Sequence, residues 1–362
     1  MTQKTLPLHA DTVGSYLRTA AWKQARADFN AGHISRDELT ALEEREVAKL
    51  VEAQLQAGIQ VVTDGEFRRS WWHIDFLEGL NGIEGYEPEQ AYQFHGVQVR
   101  RYNIRNCGKV SWNKNHPFIE HFKSLNRIVD GRAVVKFTIP SPNQLMHKNV
   151  FNPEIYPSKE ALAKDVQQAY IDAMLAFYDA GCRYLQLDDV YWGHLCNDPN
   201  AEDFEQNKAI ALANVQAVLA KKPADMAITT HVCRGNYKST YMLSGAYDPI
   251  AEALFGQTAF DGYFLEYDND RSGGFEPLRH FKGNKGRVVL GLITSKFPEL
   301  EDKQLIKDRI AQAAQYVPLA QLALSPQCGF ASTEEGNLMT EEQQWAKVRL
   351  VEEIAREVWG ED

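Results

Sequence analysis

The sequence predicts an α/β fold, a (β/α)8 TIM barrel in which eight parallel strands alternate with covering helices. Short apolar segments alternate with amphipathic helical segments along the chain, as expected for parallel strands joined by crossover helices. Polar and metal-binding residue types follow the ends of the apolar segments, and the active sites of such barrels lie at the carboxyl ends of the strands. With 362 residues, 44% of them apolar, the chain is long enough for one large domain over residues 1–362.

Eight short apolar segments are the predicted strands: residues 8–13, 60–63, 133–138, 184–187, 226–230, 262–265, 287–290 and 322–324. The segments between them carry apolar residues near helical spacing, as Leu39, Leu42 and Val47 do in the first of them. These segments predict helices at residues 36–57, 159–180, 201–220, 249–255, 276–281 and 302–315. A last predicted helix, 340–359, closes the ring of helices.

Residues 71–130, between the second and third predicted strands, depart from the plain barrel. This segment contains an alternating run at 98–105 and several aromatic side chains: Trp71, Trp72, Tyr102 and Trp112. We predict an aromatic-rich insertion with a hairpin that lies near the barrel mouth. The alternative is a surface ornament without a role in function.

Charge and composition narrow the classes of partner. The formal net charge is −10, and no stretch of lysine and arginine is dense enough to follow a phosphate backbone, which argues against nucleic acid and anionic membranes. The first residues lack the apolar core of a signal peptide and no run of about 18 apolar residues occurs, so we expect a cytoplasmic protein. Five scattered cysteines are more consistent with reduced thiols than with a disulfide framework.

Four potential metal ligands follow three of the last predicted strands. His231 and Cys233 are two residues apart where a strand ends, and the two-residue period of extended chain points both side chains the same way. Glu266 ends the next strand and Cys328 follows the last one. Two cysteines favour zinc over magnesium or calcium, which prefer oxygen ligands. We predict a zinc site, although a buried histidine beside a packed thiol would explain His231 and Cys233 alone.

The ligand set indicates which chemistry the zinc would perform. Ligands spread over a long chain at the catalytic end of a barrel suggest catalysis, because structural zinc sites are mostly built from closely spaced cysteines and histidines. Two thiolates and one carboxylate would leave the site with a charge of about −1, which makes it a poor activator of water. A substrate thiol bound there would stay an electron-rich thiolate, as alkyl transfer to sulfur requires.

At this point the sequence resembles the catalytic half of cobalamin-independent methionine synthases, and more closely their short single-barrel relatives. The resemblance spans nearly the whole chain. It rests on six motifs in order: Val13-Gly14-Ser15, Asp64-Gly65-Glu66-Phe67-Arg68-Arg69, Gln186-Leu187-Asp188-Asp189, His231-Val232-Cys233, Phe264-Leu265-Glu266 and Pro326-Gln327-Cys328-Gly329.

The resemblance implies both a metal and an amino-acid substrate. The family's zinc ligands correspond to the four residues identified above. Its homocysteine site would place the substrate carboxylate at Gly14 and Ser15, and the ammonium at Glu66 and Asp188. Fixing both ends of an amino acid would aim its sulfur at the metal. For these carboxylates, surface pairing of Glu66 with a nearby arginine and helix capping by Asp188 or Asp189 are the alternatives.

The chain also departs from that family. Full-length methionine synthases have a second barrel in front, for which this chain has no room. Where the family carries a tryptophan against the pterin ring, after the third strand, this chain reads 139–146 without one. Where the family has an Asp-x-His pair that supplies a proton, this chain has Thr294-Ser295-Lys296. The sequence therefore leaves both the platform for the methyl donor and the acid unassigned.

The leading hypothesis is a zinc-dependent S-methyltransferase that converts homocysteine to methionine, with 5-methyltetrahydrofolate as one candidate donor. A second hypothesis is alkyl transfer to another thiol, such as opening of an epoxide by a thiol coenzyme. A barrel metallohydrolase is disfavoured because Cys233 stands where a second histidine would be expected. A zinc-binding or thiol-binding protein without catalytic activity is the fourth. The sequence does not indicate an oligomeric state.

Overall fold

A computed structural model describes residues 5–91 and 93–360 of the chain. Its strands are β1 Val61–Val62, β2 Asn81–Tyr86, β3 Gln93–Phe94, β4 Val97–Gln98, β5 Asn103–Ser111, β6 Val134–Val135, β7 Phe137–Pro140, β8 Tyr184–Asp189, β9 Ala227–Val232, β10 Gly262–Glu266, β11 Arg287–Ile293 and β12 Leu322–Pro326. Its α-helices are α1 Ala20–Asn30, α2 Arg36–Gln56, α3 Ile74–Leu77, α4 Pro117–Val129, α5 Lys159–Asp179, α6 Tyr191–Asn197, α7 Phe204–Leu219, α8 Asp248–Gln257, α9 Lys303–Ala313 and α10 Glu341–Trp359. Short 3₁₀ helices occupy Pro142–Met146, Asp270–Ser272, Glu276–Phe281 and Leu319–Gln321.

Parallel strands follow one another in chain order around a barrel. β7 to β12 form a six-stranded sheet in which each strand pairs with the next, and β1 pairs with β6 in a separate two-stranded sheet. The first segment of the chain closes the ring through two parallel bridges, Ala10 with Leu324 and Ser15 with Gly65. The strand order and the positions of the helices agree with the predicted (β/α)8 barrel, and regular strands occupy seven of its eight predicted positions among the described residues.

The predicted strand at 8–13 is wrong as a regular strand. Its backbone makes single contacts with β12, from Asp11 N to Leu324 O at 3.3 Å and from Leu324 N to His9 O at 2.8 Å. The next backbone N–H, of Thr12, donates to the side chain of Asp11 at 2.7 Å instead of to a neighbouring strand. A backbone donor satisfied by a side chain is lost to the ladder, so the segment stays extended without becoming a strand.

The third predicted strand, 133–138, is one segment in the sequence but two strands in the structure. β6 pairs with β1 and β7 pairs with β8, and Lys136 lies between them. The Lys136 ammonium is fully buried and forms an ion pair with Asp11 at 2.7 Å, while Tyr184 donates a hydrogen bond to the other Asp11 oxygen at 2.8 Å. This paired charge ties the first segment to the third barrel strand.

The helices agree closely with the predicted ones, and local capping explains where several begin. Ser35 and Glu38 form a capping box at the start of α2, and Thr340 and Gln343 form another at α10. The prediction near 276–281 is confirmed as a 3₁₀ helix. Three α-helices of seven or more residues were missed: α1, α4 and α6.

The segment predicted as an insertion, 71–130, contains two hairpins. The larger pairs β2 with β5 and the smaller pairs β3 with β4, so the alternating run 98–105 is strand only at its two ends. The segment ends in α4, which packs against α2 and α5 in the outer layer of helices. The domain boundaries 1–362 and 71–130 stay predictions.

Among the helices that the structure describes, none is long and apolar enough to cross a membrane.

Acid should destabilise the fold through His116, which caps α4. Its Nδ1 accepts a hydrogen bond from Phe118 N at 3.2 Å, its Nε2 lies 2.9 Å from Phe76 O, and burial lowers its pKa to about 4. The unfolded histidine titrates near pH 6.5, so its contribution to stability is present above that pH and is lost as the pH falls towards 4. Between pH 7 and pH 5 this group should cost about 2 kcal/mol.

Urea unfolding of the wild type and of His116→Asn at pH 7 and pH 5 tests this. The variant should lose less stability on acidification than the wild type, because asparagine can cap the helix without titrating. Equal losses in the two proteins would show that His116 does not contribute to the pH dependence.

Candidate metal and thiol site

The barrel brings four potential metal ligands to one point at the carboxyl ends of its strands. His231 lies near the end of β9, Cys233 directly follows that strand, Glu266 ends β10 and Cys328 follows β12. One ligand atom from each residue lies within 4.8 Å of the others, and all four residues are buried. Strand ends in neighbouring positions therefore assemble a set that is scattered in the sequence.

Hydrogen bonding orients His231 with one ring nitrogen available to a metal. Its Nδ1 lies 3.2 Å from the carbonyl oxygen of Phe264 on the neighbouring strand, which fixes the proton on Nδ1. Its Nε2 is buried and has no hydrogen-bond partner among the described residues. A buried imidazole nitrogen without a partner is costly in a folded protein unless an ion occupies the space it faces.

The two thiols have the spacing that zinc requires. The Sγ atoms of Cys233 and Cys328 are 3.6 Å apart, and both cysteines are free thiols. Two sulfurs bound at about 2.3 Å to a tetrahedral zinc would be roughly 3.8 Å apart. The hydrogen bond from Cys233 lowers the pKa of Cys328 well below its usual value, and Gly235 N donates to Cys233 Sγ at 3.2 Å.

Glu266 is ionised because positive groups outweigh its burial. Burial alone would raise the pKa of this carboxyl, but nearby Lys296, Arg271 and Arg234 lower it. Its Oε1 accepts a hydrogen bond from Arg234 N at 2.7 Å, and its Oε2 pairs with Arg271 at 2.7 Å. The donor set of imidazole, two thiols and a carboxylate, held by outer hydrogen bonds, fits zinc.

A cavity opens onto this site. His231, Cys233 and Cys328 line it, whereas Glu266 is fully buried behind it. Three of the four predicted substrate residues line the same cavity: Ser15, Glu66 and Asp188. A small substrate can therefore reach the metal ligands and these polar residues at once.

Glu66 presents an unpaired carboxylate oxygen beside the cavity. Its Oε1 accepts hydrogen bonds from Thr138 at 3.0 Å and from Arg69 at 3.3 Å, while its buried Oε2 has no partner among the described residues. Its backbone has a φ of 62°, a left-handed conformation that a non-glycine residue adopts at a cost. The pair with Arg69 is buried and internal, so the surface pairing considered from the sequence is wrong.

Asp188 and Asp189 are adjacent in β8 but have different roles. Asp188 lines the cavity, accepts a hydrogen bond from Gln186 at 2.8 Å, and has a pKa raised to about 7 by burial. Asp189 accepts four hydrogen bonds, from Ser141, Asn143 and the backbone N–H groups of Tyr191 and Trp192. Asp189 is therefore a structural cap for the start of α6.

Gly14 shapes the chain, while Ser15 faces the cavity. Gly14 has a φ of 129°, and a Cβ there would lie 3.0 Å from the methyl group of Thr138, so only glycine fits without strain. Its carbonyl accepts a hydrogen bond from Thr63 at 2.5 Å. Gly14 does not itself line the cavity, but it sets the direction of the chain that brings Ser15 there.

The aromatic insertion supplies part of the cavity wall. Trp71 and Trp72 line the cavity, whereas Tyr102 hydrogen-bonds Glu78 and Trp112 stacks on His116. The wall also includes three histidines that sequence reasoning missed: His73, His147 and His194. No spacing rule could have found them, because they come from separate loops and helices.

Residues 8–356 match the family described as the catalytic domain of cobalamin-independent synthase. The chain belongs to this family. The resemblance inferred from the motifs is thereby confirmed.

Relatives match this chain along most of their own length. It is 48% identical over 364 residues to the uncharacterized protein YxjH of Bacillus subtilis, covering 99% of this chain and 96% of that one. It is 24% identical over 327 residues to a methionine synthase of Sulfurisphaera tokodaii, covering 90% of this chain and 86% of that one.

Two solved structures of cobalamin-independent synthases resemble this one. A Listeria monocytogenes protein, provisionally described as a vitamin-B12-independent methionine synthase, is 42% identical with a TM-score of 0.82, covering 99% of this chain and all of that one. A B12-independent methionine synthase of Shewanella sp. W3-18-1, solved with selenomethionine, has a TM-score of 0.73 at 18% identity and 97% coverage of both chains. The second likeness shows the shared fold.

Replacing Cys328 with serine should remove zinc while leaving the protein folded. The thiolate is one of four ligands, so its loss should weaken zinc binding by more than about tenfold, and the barrel core lies elsewhere. Zinc content after dialysis, together with circular dichroism, measures both effects. Cys107→Ser is the matched control because Cys107 is exposed and does not belong to the cluster of four predicted ligands. Full zinc content in Cys328→Ser would show that Cys328 is not a ligand.

Proposed function

We propose that this protein is a zinc-dependent S-methyltransferase that converts homocysteine to methionine. The observation that carries the proposal is one cavity, lined by three of the four predicted metal ligands, that also reaches two buried carboxylates, Glu66 and Asp188. The metal ligands suit a sulfur and the carboxylates suit an ammonium, and homocysteine has both groups.

The comparisons support the same substrate. Relatives along nearly the whole chain are named methionine synthases, and the Shewanella protein was solved with selenomethionine, an analogue of the product proposed here. The cavity of this chain carries the groups that such an amino acid requires. The family and the site geometry thus both support a sulfur amino acid as the substrate.

His231, Cys233, Glu266 and Cys328 would hold the zinc. When bound, zinc lowers the pKa of a coordinated substrate thiol and keeps it as a nucleophilic thiolate at neutral pH. Glu266 is the ligand best placed to dissociate from the metal when the substrate thiol binds, because both of its oxygens already have partners in Arg234 and Arg271. A carboxylate that leaves the metal there would remain paired.

The residues of the chain fix the two ends of the amino acid. The free Oε2 of Glu66 and the carboxylate of Asp188 would pair with the ammonium, which favours their ionised forms. Ser15, brought to the wall by Gly14, would bind the carboxylate through its hydroxyl or backbone. Holding the amino acid at both ends orients its sulfur towards the metal and towards the incoming methyl group.

The competing hypotheses fit the cavity less well. A thiol coenzyme with a sulfonate would meet two carboxylates, Glu66 and Asp188, and would be repelled. A hydrolase would have to activate water at a metal already neutralised by two thiolates and a carboxylate. The cytoplasmic location inferred from the sequence stays a prediction.

Replacing Glu66 with glutamine should separate amino-acid binding from metal binding. The variant loses the charge that pairs with the ammonium, so homocysteine affinity should fall roughly 10- to 100-fold, or about 1.5–3 kcal/mol, with zinc content unchanged. Isothermal titration of zinc-loaded protein with L-homocysteine measures the affinity. Glu84→Gln, an exposed position paired with Arg105, is the control and should bind normally. Equal loss of zinc and homocysteine in Glu66→Gln, or no homocysteine binding by the wild type, would contradict the proposal.

A further inference from the structure

Trp72 belongs to the cavity wall near the thiols of the metal site. Its ring packs against a buried cluster that contains Cys233 and Cys328, and it lines the cavity. Its backbone is fixed on both sides, because its N–H donates to Ser332 O at 2.9 Å and its carbonyl accepts from Arg69 at 3.3 Å. The Trp72 backbone is therefore fixed in the cavity wall, close to the cluster that contains the two thiols.

A row of imidazoles continues this wall away from the metal. The ring of His73 lies 4.5 Å from that of Trp72, and the rings of His147 and His194 are 4.9 Å apart. All three histidines line the cavity. Burial lowers the pKa of His73 to about 3 and that of His194 to about 4, and it also lowers the pKa of His147 well below its usual value. The wall is uncharged at neutral pH.

The cavity wall carries no lysine or arginine among the described residues. Of the cations nearby, Arg69 pairs with Glu66, and the Lys296 ammonium is hydrogen-bonded to Asn236 at 3.2 Å. Glu66 and Asp188 line the cavity, but both would pair with the homocysteine ammonium. A second substrate that carries a positive charge would therefore meet no lysine or arginine and would gain from the π-faces of the wall.

We propose that the methyl donor is a compact sulfonium cation bound against Trp72 and the imidazole wall. This inference rests on the proposed function, which supplies the homocysteine thiolate. In the reaction, a bond forms between the homocysteine sulfur and the methyl carbon as the methyl–sulfonium bond breaks. The electron pair of the broken bond leaves with the donor sulfur, which becomes a neutral thioether. No proton is transferred in this step.

The same wall is poorly suited to a methylated pterin with a glutamate tail. The tail carries carboxylates, and the cavity offers them no lysine or arginine. A methyl group on a neutral amine leaves easily only when the nitrogen is protonated, and the imidazoles of the wall are unprotonated at neutral pH. A sulfonium needs neither a cationic wall nor an acid.

The test gives zinc-loaded full-length protein carbon-13-labelled L-homocysteine and one unlabelled methyl donor at a time. The donors are S-methylmethionine, S-adenosylmethionine and 5-methyltetrahydrofolate with one or three glutamates. We expect mass spectrometry to find labelled methionine with a sulfonium, and the two sulfonium arms show how large a donor the cavity accepts. Labelled methionine from the folates alone would overturn the inference.

Variants of Trp72 test the wall itself. Trp72→Leu should raise the KM for the sulfonium at least tenfold, Trp72→Phe should raise it less, and both should keep normal zinc content and homocysteine affinity. Tyr102→Leu is the control, because that ring belongs to the same insertion but does not line the cavity. An unchanged donor KM in Trp72→Leu would overturn the role of Trp72.

A binding experiment covers the case in which the leucine variant fails to fold or homocysteine does not bind. Tetramethylammonium, a cation of similar size that does not transfer its methyl groups, should show saturation-transfer NMR signals with wild-type protein, and neutral tert-butanol should not. This result needs no homocysteine, so it separates failure of the wall from failure of the proposed function. Equal signals from the two probes would contradict recognition of a cation.

Discussion

The register of β9 against β10 is the constraint on which the site depends. His231 stands opposite Phe264 in this parallel pair, and the Phe264 carbonyl fixes the imidazole with Nε2 facing the other ligands. In the same register, β10 ends at Glu266, which therefore lies on the strand next to His231 and Cys233. A slip of one residue would turn these side chains to the opposite face of the sheet. Backbone pairing therefore positions the candidate metal ligands without the help of an ion.

Cys328 reaches this set because the chain after β12 crosses β11 closely. A Cβ at Gly291 would lie 2.7 Å from the Cα of Gln327, so the glycine permits the close passage. The Gln327 side chain then accepts hydrogen bonds from the backbone and hydroxyl of Ser295 at 2.6 and 2.9 Å. These contacts hold the segment before Cys328, and a larger residue at 291 would displace it.

The sequence alone was sufficient to predict the features that local chemistry determines. Strand ends carried the His231, Cys233, Glu266 and Cys328 set, and apolar periodicity located most helices. It failed where side-chain contacts, local or tertiary, decide the outcome. Residues 8–13 do not form a ladder because the Asp11 side chain takes the Thr12 N–H, and Lys136 interrupts the third strand to pair with Asp11. The histidine wall was hidden for the same reason, since its members share no element.

In the proposed function, zinc held by the four predicted ligands activates the thiol of the substrate. The most direct test is X-ray absorption at the zinc edge of the loaded protein, with and without L-homocysteine. We expect two sulfur ligands at about 2.3 Å from the zinc without homocysteine, and three when homocysteine is bound. A zinc site that keeps two sulfur ligands in saturating homocysteine would contradict thiol activation. It would indicate a structural role or a different catalytic role for the metal.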